Sequence, residues 1–139
     1  MREIKFRGWD KELGQWVYGW YTQQHKNGLR YHVIMTECER EIIPIYIDNP
    51  KTIGQYTGIK DEKGNEIYEG DKVKYWTKHC NFGISTVFWD NSILSFTDCK
   101  GNVLTNMRGL IVVGDIYTVT SPVPFAKRAR EIYQCYLMR

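Results

Sequence analysis

At 139 residues the chain is long enough to bury a sizeable interior, as one domain or as two small lobes sharing a core. Lys and Arg number 19 against 16 Asp and Glu, and residues 1–121 balance at 15 of each sign, so a globally basic nucleic-acid binder is not indicated. The surplus lies in the tail, where Lys127, Arg128, Arg130 and Arg139 face only Glu131.

No apolar run approaches the roughly 20 residues that a membrane helix needs. The N-terminus is charged at Arg2, Glu3, Lys5 and Arg7, unlike a signal peptide. Cys38, Cys80, Cys99 and Cys135 are widely spaced and form no CxxC pair, so they are expected to be reduced, mostly structural thiols in a cytosol. Aromatic residues make up 14% of the chain, which suits a β-rich protein or one with a broad contact surface.

In chain order, β-branched and aromatic enrichment predicts strands over Ile4–Trp9, Trp16–Gln23, Arg30–Thr36 and Glu41–Ile47. Further strands are predicted over Tyr56–Ile59, Lys72–Trp76, Ile84–Trp89, Ile93–Thr97 and Gly109–Thr120, which makes about nine. Turn signals separate them: Lys11–Gly14, Lys26–Gly28, Asp48–Pro50, Lys63–Asn65, Asn81–Gly83, Asp90–Ser92 and Lys100–Asn102. Such spacing belongs to a sandwich or barrel knitted from antiparallel neighbours. Ile43, Ile45 and Ile47 fall on one face, and Pro44 among them argues for a sheet edge or a bulge. The segment around Lys100, Gly101 and Asn102 reads as a tight hairpin joining Ile93–Thr97 to Val103–Thr105. No internal repeat, low-complexity tract or linker is read from the sequence.

The tail differs. Pro122 and Pro124 stop the last strand and preset a helix start, after which Phe125, Ala129, Ile132, Tyr133, Tyr136 and Leu137 recur at helical spacing. Lys127, Arg130, Glu131 and Gln134 fall on the opposite face. The stripe is expected to dock on the domain's own sheet or on another subunit.

The run Tyr56-Thr57-Gly58-Ile59-Lys60-Asp61, followed by Gly64, Ile67, Tyr68, Glu69, Gly70, Asp71 and Val73, resembles the signature of YopX-type phage and prophage proteins. The opening Arg2-Glu3-Ile4-Lys5-Phe6-Arg7-Gly8-Trp9-Asp10 is similar to that family's start, and Val113-Gly114-Asp115-Ile116-Tyr117 to its late motif. Two departures are visible, Gly8 where the family usually has Ala and Asp115 where it has Asn. The resemblance implies a phage- or prophage-encoded protein of the bacterial cytoplasm, and it carries no catalytic residues over.

Candidate sites follow from residue chemistry. The Gly70-Asp71 corner before a strand resembles the Gly-Asp-x-Val corner of SH3-like barrels, where Gly permits φ > 0 and the carboxylate accepts backbone N–H bonds. Gly114-Asp115 repeats that pattern. Glu66, Glu69 and Asp71 lie close enough in sequence for carboxylate chemistry. A solvated hairpin places its charges in the same way. His25, His32 and His79 lack zinc-site spacing, and no nucleophile stands beside a base.

Trp9, Trp16, Tyr18, Trp20 and Tyr21 fall within thirteen positions, among Arg2, Lys5, Arg7 and Lys11. Interleaved rings and cations serve single-stranded nucleic-acid platforms, and they serve a hairpin core equally. Trp16, Tyr18 and Trp20 share one parity with Val17 and Tyr21 on the other, so at least one set is expected to be core.

The expected fold is mostly β: an SH3-like or related partly open barrel with additional strands and a C-terminal α-helix. The chain is expected to be a single domain over 1–139, with a β-rich body at 1–121 and the helix at 122–139. The expected role is a non-enzymatic accessory protein that acts by binding a host or phage protein, as a homo-oligomer, without metal or cofactor. The alternative is a nucleic-acid-binding module using Trp9, Trp16 and Trp20 together with Lys127, Arg128 and Arg130. Tyr56, Thr57, Gly58, Gly70, Asp71, Gly114 and Asp115 are expected to serve structure.

Overall fold

The computed structural model describes residues 3–77, 82–98 and 100–117. Among them the protein is mostly β, with eleven strands, all paired antiparallel, and two short 3-10 turns at Pro50–Thr52 and Leu104–Asn106. The predicted C-terminal helix, three of the four cysteines and His79 fall outside the described residues. The described sheets are open; none returns to its first strand. The chain divides into two compact units, residues 3–55 and 56–117 of the described chain.

In the first unit β1 (Phe6–Asp10), β2 (Gln15–Lys26), β3 (Leu29–Cys38) and β4 (Glu41–Ile47) form a meander in the order β4-β3-β2-β1. β1 also pairs through Phe6 and Arg7 with Gln55 and Gly54, the first residues of β5 (Gly54–Lys60). Pro44 sits in β4, the outer strand of this meander, where a missing N–H costs no ladder bond. Strand β2 changes partner midway, its residues 15–19 lying against β1 and 20–26 against β3. At the changeover a Cβ on Gly19 would lie 2.0 Å from the Met35 carbonyl oxygen, so only glycine allows that approach.

The two hairpin loops of this meander differ in chemistry. Asn27 and Gly28 both have positive φ (52° and 76°), as a two-residue hairpin turn requires. Glu39 and Arg40 adopt the same left-handed conformation (49° and 70°) with residues that disfavour it. One face of the meander is packed by Val17, Ile34, Cys38, Ile43, Ile45 and Ile47, with Phe6, Leu13, Tyr21 and Ile53 partly buried around them. The three isoleucines on alternate positions of β4 thus all point inward.

In the second unit the remainder of β5 pairs with β6 (Glu66–Tyr68) across a bulge at Gly58, where φ is +84°. Strands β11 (Arg108–Asp115), β7 (Asp71–Trp76) and β8 (Phe82–Thr86) form a second sheet in that order, and β9 (Phe88–Asp90) pairs with β10 (Ser95–Thr97). The predicted strand over Ile84–Trp89 is two strands divided at Val87, β8 pairing with β7 and β9 with β10; the Val87 N–H still donates to the Asp71 carbonyl (2.9 Å). The predicted hairpin onto Val103–Thr105 is reduced to one bridge, Thr97 to Val103, after which the chain winds into the 3-10 turn. β10 pairs instead with β9. Ile67, Val73, Tyr75, Val87, Phe96, Leu104, Met107, Leu110 and Val112 form this unit's core.

Two turns share a short sequence: Asp61-Glu62-Lys63-Gly64-Asn65 and Asp98-Cys99-Lys100-Gly101-Asn102 both read Asp-x-Lys-Gly-Asn. In each, the Asp N–H donates to the Asn carbonyl (2.8 and 3.0 Å), the Gly N–H to the Asp carbonyl, and Gly holds φ near +83° or +84°.

Candidate functional site

The N-terminal aromatic residues separate into two environments. Trp9 and Trp16 are register partners, their rings edge to face at 5.4 Å, and the Arg7 guanidinium lies 4.1 Å from the Trp16 ring centre. Trp16 is 2% exposed, and Arg7 and Tyr18 are buried with it, so this cation–aromatic cluster is interior packing. Trp16 offers no open ring face for stacking in this arrangement. The Val17 face joins the isoleucine core, as the shared parity requires.

Trp20, four residues after Trp16 on the same strand, is 51% exposed. The β2–β3–β4 register places it in one row with Met35 and Pro44. By alternation Leu29, Tyr31, Ile42 and Tyr46 lie on that same outer face and are exposed. Tyr31 and Tyr46 meet edge to face at 5.8 Å, and the Lys26 Nζ donates to the Tyr46 hydroxyl (3.1 Å). Beside Trp20 opens a cleft of about 260 Å³ lined by Glu3, Ile4, Lys5, Gly19 and Glu37.

Of the carboxylates considered for chemistry, Asp71 and Glu66 accept local hydrogen bonds. Gly70 has φ +90°, the Asp71 Oδ2 accepts the Tyr68 N–H (2.8 Å), and Asp71 is buried. Gly114-Asp115 stands directly across the ladder, with Gly114 opposite Lys72 and Asp115 opposite Asp71. The Asp115 Oδ1 accepts the Tyr117 N–H (2.7 Å), and the Ile116 N–H donates to the Gly70 carbonyl (3.0 Å). The two Gly-Asp pairs therefore close the same end of one sheet. Glu66 accepts from the Tyr68 hydroxyl (3.3 Å). In β5, Tyr56 packs against Tyr68 at 5.5 Å and the Thr57 hydroxyl accepts the Ile59 N–H across the Gly58 bulge (3.2 Å). His32 stacks on Tyr21, whose hydroxyl lies 2.6 Å from its Nδ1. Among the described residues no three His, Cys, Asp or Glu side chains are grouped to hold a metal.

The arrangement most suited to a ligand lies elsewhere, at residues without a sequence motif. On the solvent face of the β11–β7–β8 sheet the register builds three rows: Arg108, Trp76 and Phe82; Ile111, Lys74 and Ile84; Gly114, Lys72 and Thr86. Trp76 is 48% exposed, and Phe82 and Ile84 are each 52% exposed. The Trp76 and Phe82 rings lie 5.2 Å apart, and a Cβ on Gly109 would come within 3.3 Å of the Trp76 ring edge. The alternation Lys72-Val73-Lys74-Tyr75-Trp76 carried a signal, since period 2 puts both lysines and the tryptophan on one side. Phe82 and Arg108 join them only through register, which the sequence does not show. Lys127, Arg128 and Arg130 lie outside the described residues.

No helix among the described residues is long and apolar enough to cross a membrane. No curated protein matches the chain. The family described as YopX protein matches residues 5–122, a span that holds the Tyr56–Val73 signature, both Gly-Asp pairs and both sheet faces. The chain belongs to the YopX protein family.

Proposed function

We propose that this protein acts by binding rather than by catalysis, as an accessory protein encoded by a phage or prophage and working in the bacterial cytoplasm. Self-association is part of its working state, and its further partner is a host or phage protein. The supporting observation is the outer face of β2–β3–β4, where Trp20, Leu29, Tyr31, Ile42 and Tyr46 stand exposed on the side of the sheet opposite the Val17, Ile34 and β4 isoleucine core. Exposed rings and aliphatic side chains gathered on one sheet face mark an interaction surface. A closed symmetric dimer is the commonest way for one chain to cover such a face. We further read the second unit as SH3-like, on the strength of its Gly70-Asp71 corner and of β11 returning after a 3-10 turn to pair with β7.

Light scattering across a range of concentrations tests the self-association. The parent is expected above the 16.5 kDa of one chain, and Trp20→Glu with Ile42→Glu at that mass with an unchanged circular dichroism spectrum. A parent that stays at one chain's mass up to high micromolar concentration would overturn it. Burial of Trp16 weighs against the nucleic-acid alternative at the N-terminal rings, of which Trp20 stays exposed.

A further inference from the structure

We infer that the solvent face of the β11–β7–β8 sheet binds single-stranded nucleic acid, gripping phosphates with Lys72, Lys74 and Arg108 and stacking bases on Trp76 and Phe82. The inference rests on the reading that the protein works by binding, and it assigns a ligand class to a face in the second unit that the self-association surface does not use.

Charge is the first argument. The nine positions of the three cross-strand rows hold three cations and no carboxylate, on a body (residues 1–121) that carries 15 charges of each sign in all. Arg108 lies across the ladder from Trp76, Lys74 in the next row and Lys72 in the row beyond, so the cations run in a line away from the rings. An apolar protein partner would leave these three charges facing apolar surface, whereas a phosphate chain neutralises them.

Ring geometry is the second. The Trp76 ring packs edge to face on Phe82 at 5.2 Å, and a side chain at Gly109 would come within 3.3 Å of its edge. Both rings stay about half exposed while so fixed. Fixed, exposed rings beside cations are what a sequence-tolerant single-strand platform uses, because every base presents a π-face. A duplex keeps its bases stacked inside and cannot use the rings.

The experiment is fluorescence anisotropy of a labelled oligo(dT) of about 20 nucleotides with the full chain, titrated at several salt concentrations. Binding is expected at low salt, with log K falling against log salt at a slope of roughly −2 for three phosphate contacts on a single strand. Trp76→Ala is expected to weaken binding by about 5- to 150-fold, the range for loss of one stacked base. Trp76→Phe should retain most of the affinity. Lys74→Ala, at an exposed position that leaves the core untouched, should lower the slope by about 0.7, and Lys100→Ala, in a turn away from this face, should leave it unchanged.

No binding by the parent at salt on the order of 20 mM overturns the inference. So does binding that Trp76→Ala and Lys74→Ala both leave intact, or a duplex of the same length bound as tightly as the single strand. Loss of self-association on Trp76→Ala, with no oligonucleotide bound by the parent, would make this face a contact between copies instead. Light scattering on the same samples reads the Trp20 face separately, so either reading can fail while the other stands.

Discussion

Asp61 and Asp98 occupy the same place in two turns with one hydrogen-bond pattern. Each Oδ1 accepts two backbone N–H groups, Lys63 and Asn65 in one turn (2.9 and 2.8 Å) and Lys100 and Asn102 in the other (2.9 and 2.8 Å). Each Oδ2 accepts the Asn side-chain amide and then one group from a distant strand. For Asp61 that donor is the Val112 N–H of β11 (3.0 Å), and for Asp98 it is the Tyr75 hydroxyl of β7. Two hairpin turns are thereby fastened to the central sheet of the second unit, each through a buried carboxylate.

These bonds give a pH dependence with a definite sign. Burial pushes both carboxyls up, but the Val112, Asn65 and Lys63 donors at Asp61, and Tyr75, Asn102 and Lys100 at Asp98, outweigh it and hold each below the ordinary aspartate range. A lowered folded-state value means stability that is present above the unfolded aspartate value of about 3.9 and lost as pH falls through the folded value. Urea midpoints of the parent should therefore drop progressively below about pH 4. Asp61→Asn and Asp98→Asn should each cost about 2 to 3 kcal/mol at neutral pH, because the amide NH2 meets donors where an acceptor is needed. Each variant should also flatten the acid limb. An acid limb as steep as the parent's in both variants would show that other groups control it.

How much of this was legible in the sequence depends on whether the signal is local. The isoleucine face of β4, the Asn27-Gly28 turn and the Gly70-Asp71 corner follow from alternation and turn chemistry within a few residues. The exposed face of β7 does not, since Arg108 and Phe82 reach Trp76 through strands 32 and 6 positions away. Trp16 and Trp20 share a parity and look equivalent in sequence. Only the switch of β2 from β1 to β3 at Gly19 separates the buried ring from the exposed one. The Glu39-Arg40 turn escaped because neither residue favours φ > 0 and its geometry is imposed by the flanking strands.

That turn gives a stabilising prediction. Glu39 and Arg40 hold φ of 49° and 70°, a conformation that costs roughly 1 kcal/mol or more per ordinary residue. The double variant Glu39→Asn with Arg40→Gly, which installs the asparagine–glycine pair that such a turn favours, should raise stability by about 1 to 2 kcal/mol. Thermal unfolding checks it, and no gain in midpoint would mean that the loop relaxes in solution.

Gly19 marks the opposite extreme. A Cβ there would lie 2.0 Å from the Met35 carbonyl oxygen and 2.8 Å from its carbon, both backbone atoms that cannot turn aside. Gly19→Ala should cost more than about 3 kcal/mol and expose hydrophobic surface to dye. Gly14→Ala, at φ +62° with open space around it, should cost only about 1 to 2 kcal/mol. Equal losses in the two variants would place the crowding at Gly19 elsewhere.

Gly8 turns a departure from the family pattern into a packing test. A Cβ at this position would meet the Ile47 Cγ1 at 2.9 Å, its Cδ1 at 3.1 Å and the Ile34 Cγ1 at 3.3 Å, all side-chain atoms in the first unit's core. Alanine, usual here among the proteins this chain resembles, is therefore excluded by the size of Ile47 rather than by the backbone, whose φ at Gly8 is not positive. Gly8→Ala alone should cost about 1 to 3 kcal/mol through overpacking. Ile47→Val alone should cost about 0.5 to 1.5 kcal/mol by removing a methyl group from a filled site. Together they should cost less than the sum, because the added Cβ occupies space that the lost Cδ1 vacates. A double-mutant cycle by urea unfolding reads the coupling directly, and strict additivity would show that the Ile47 Cδ1 is not what crowds position 8.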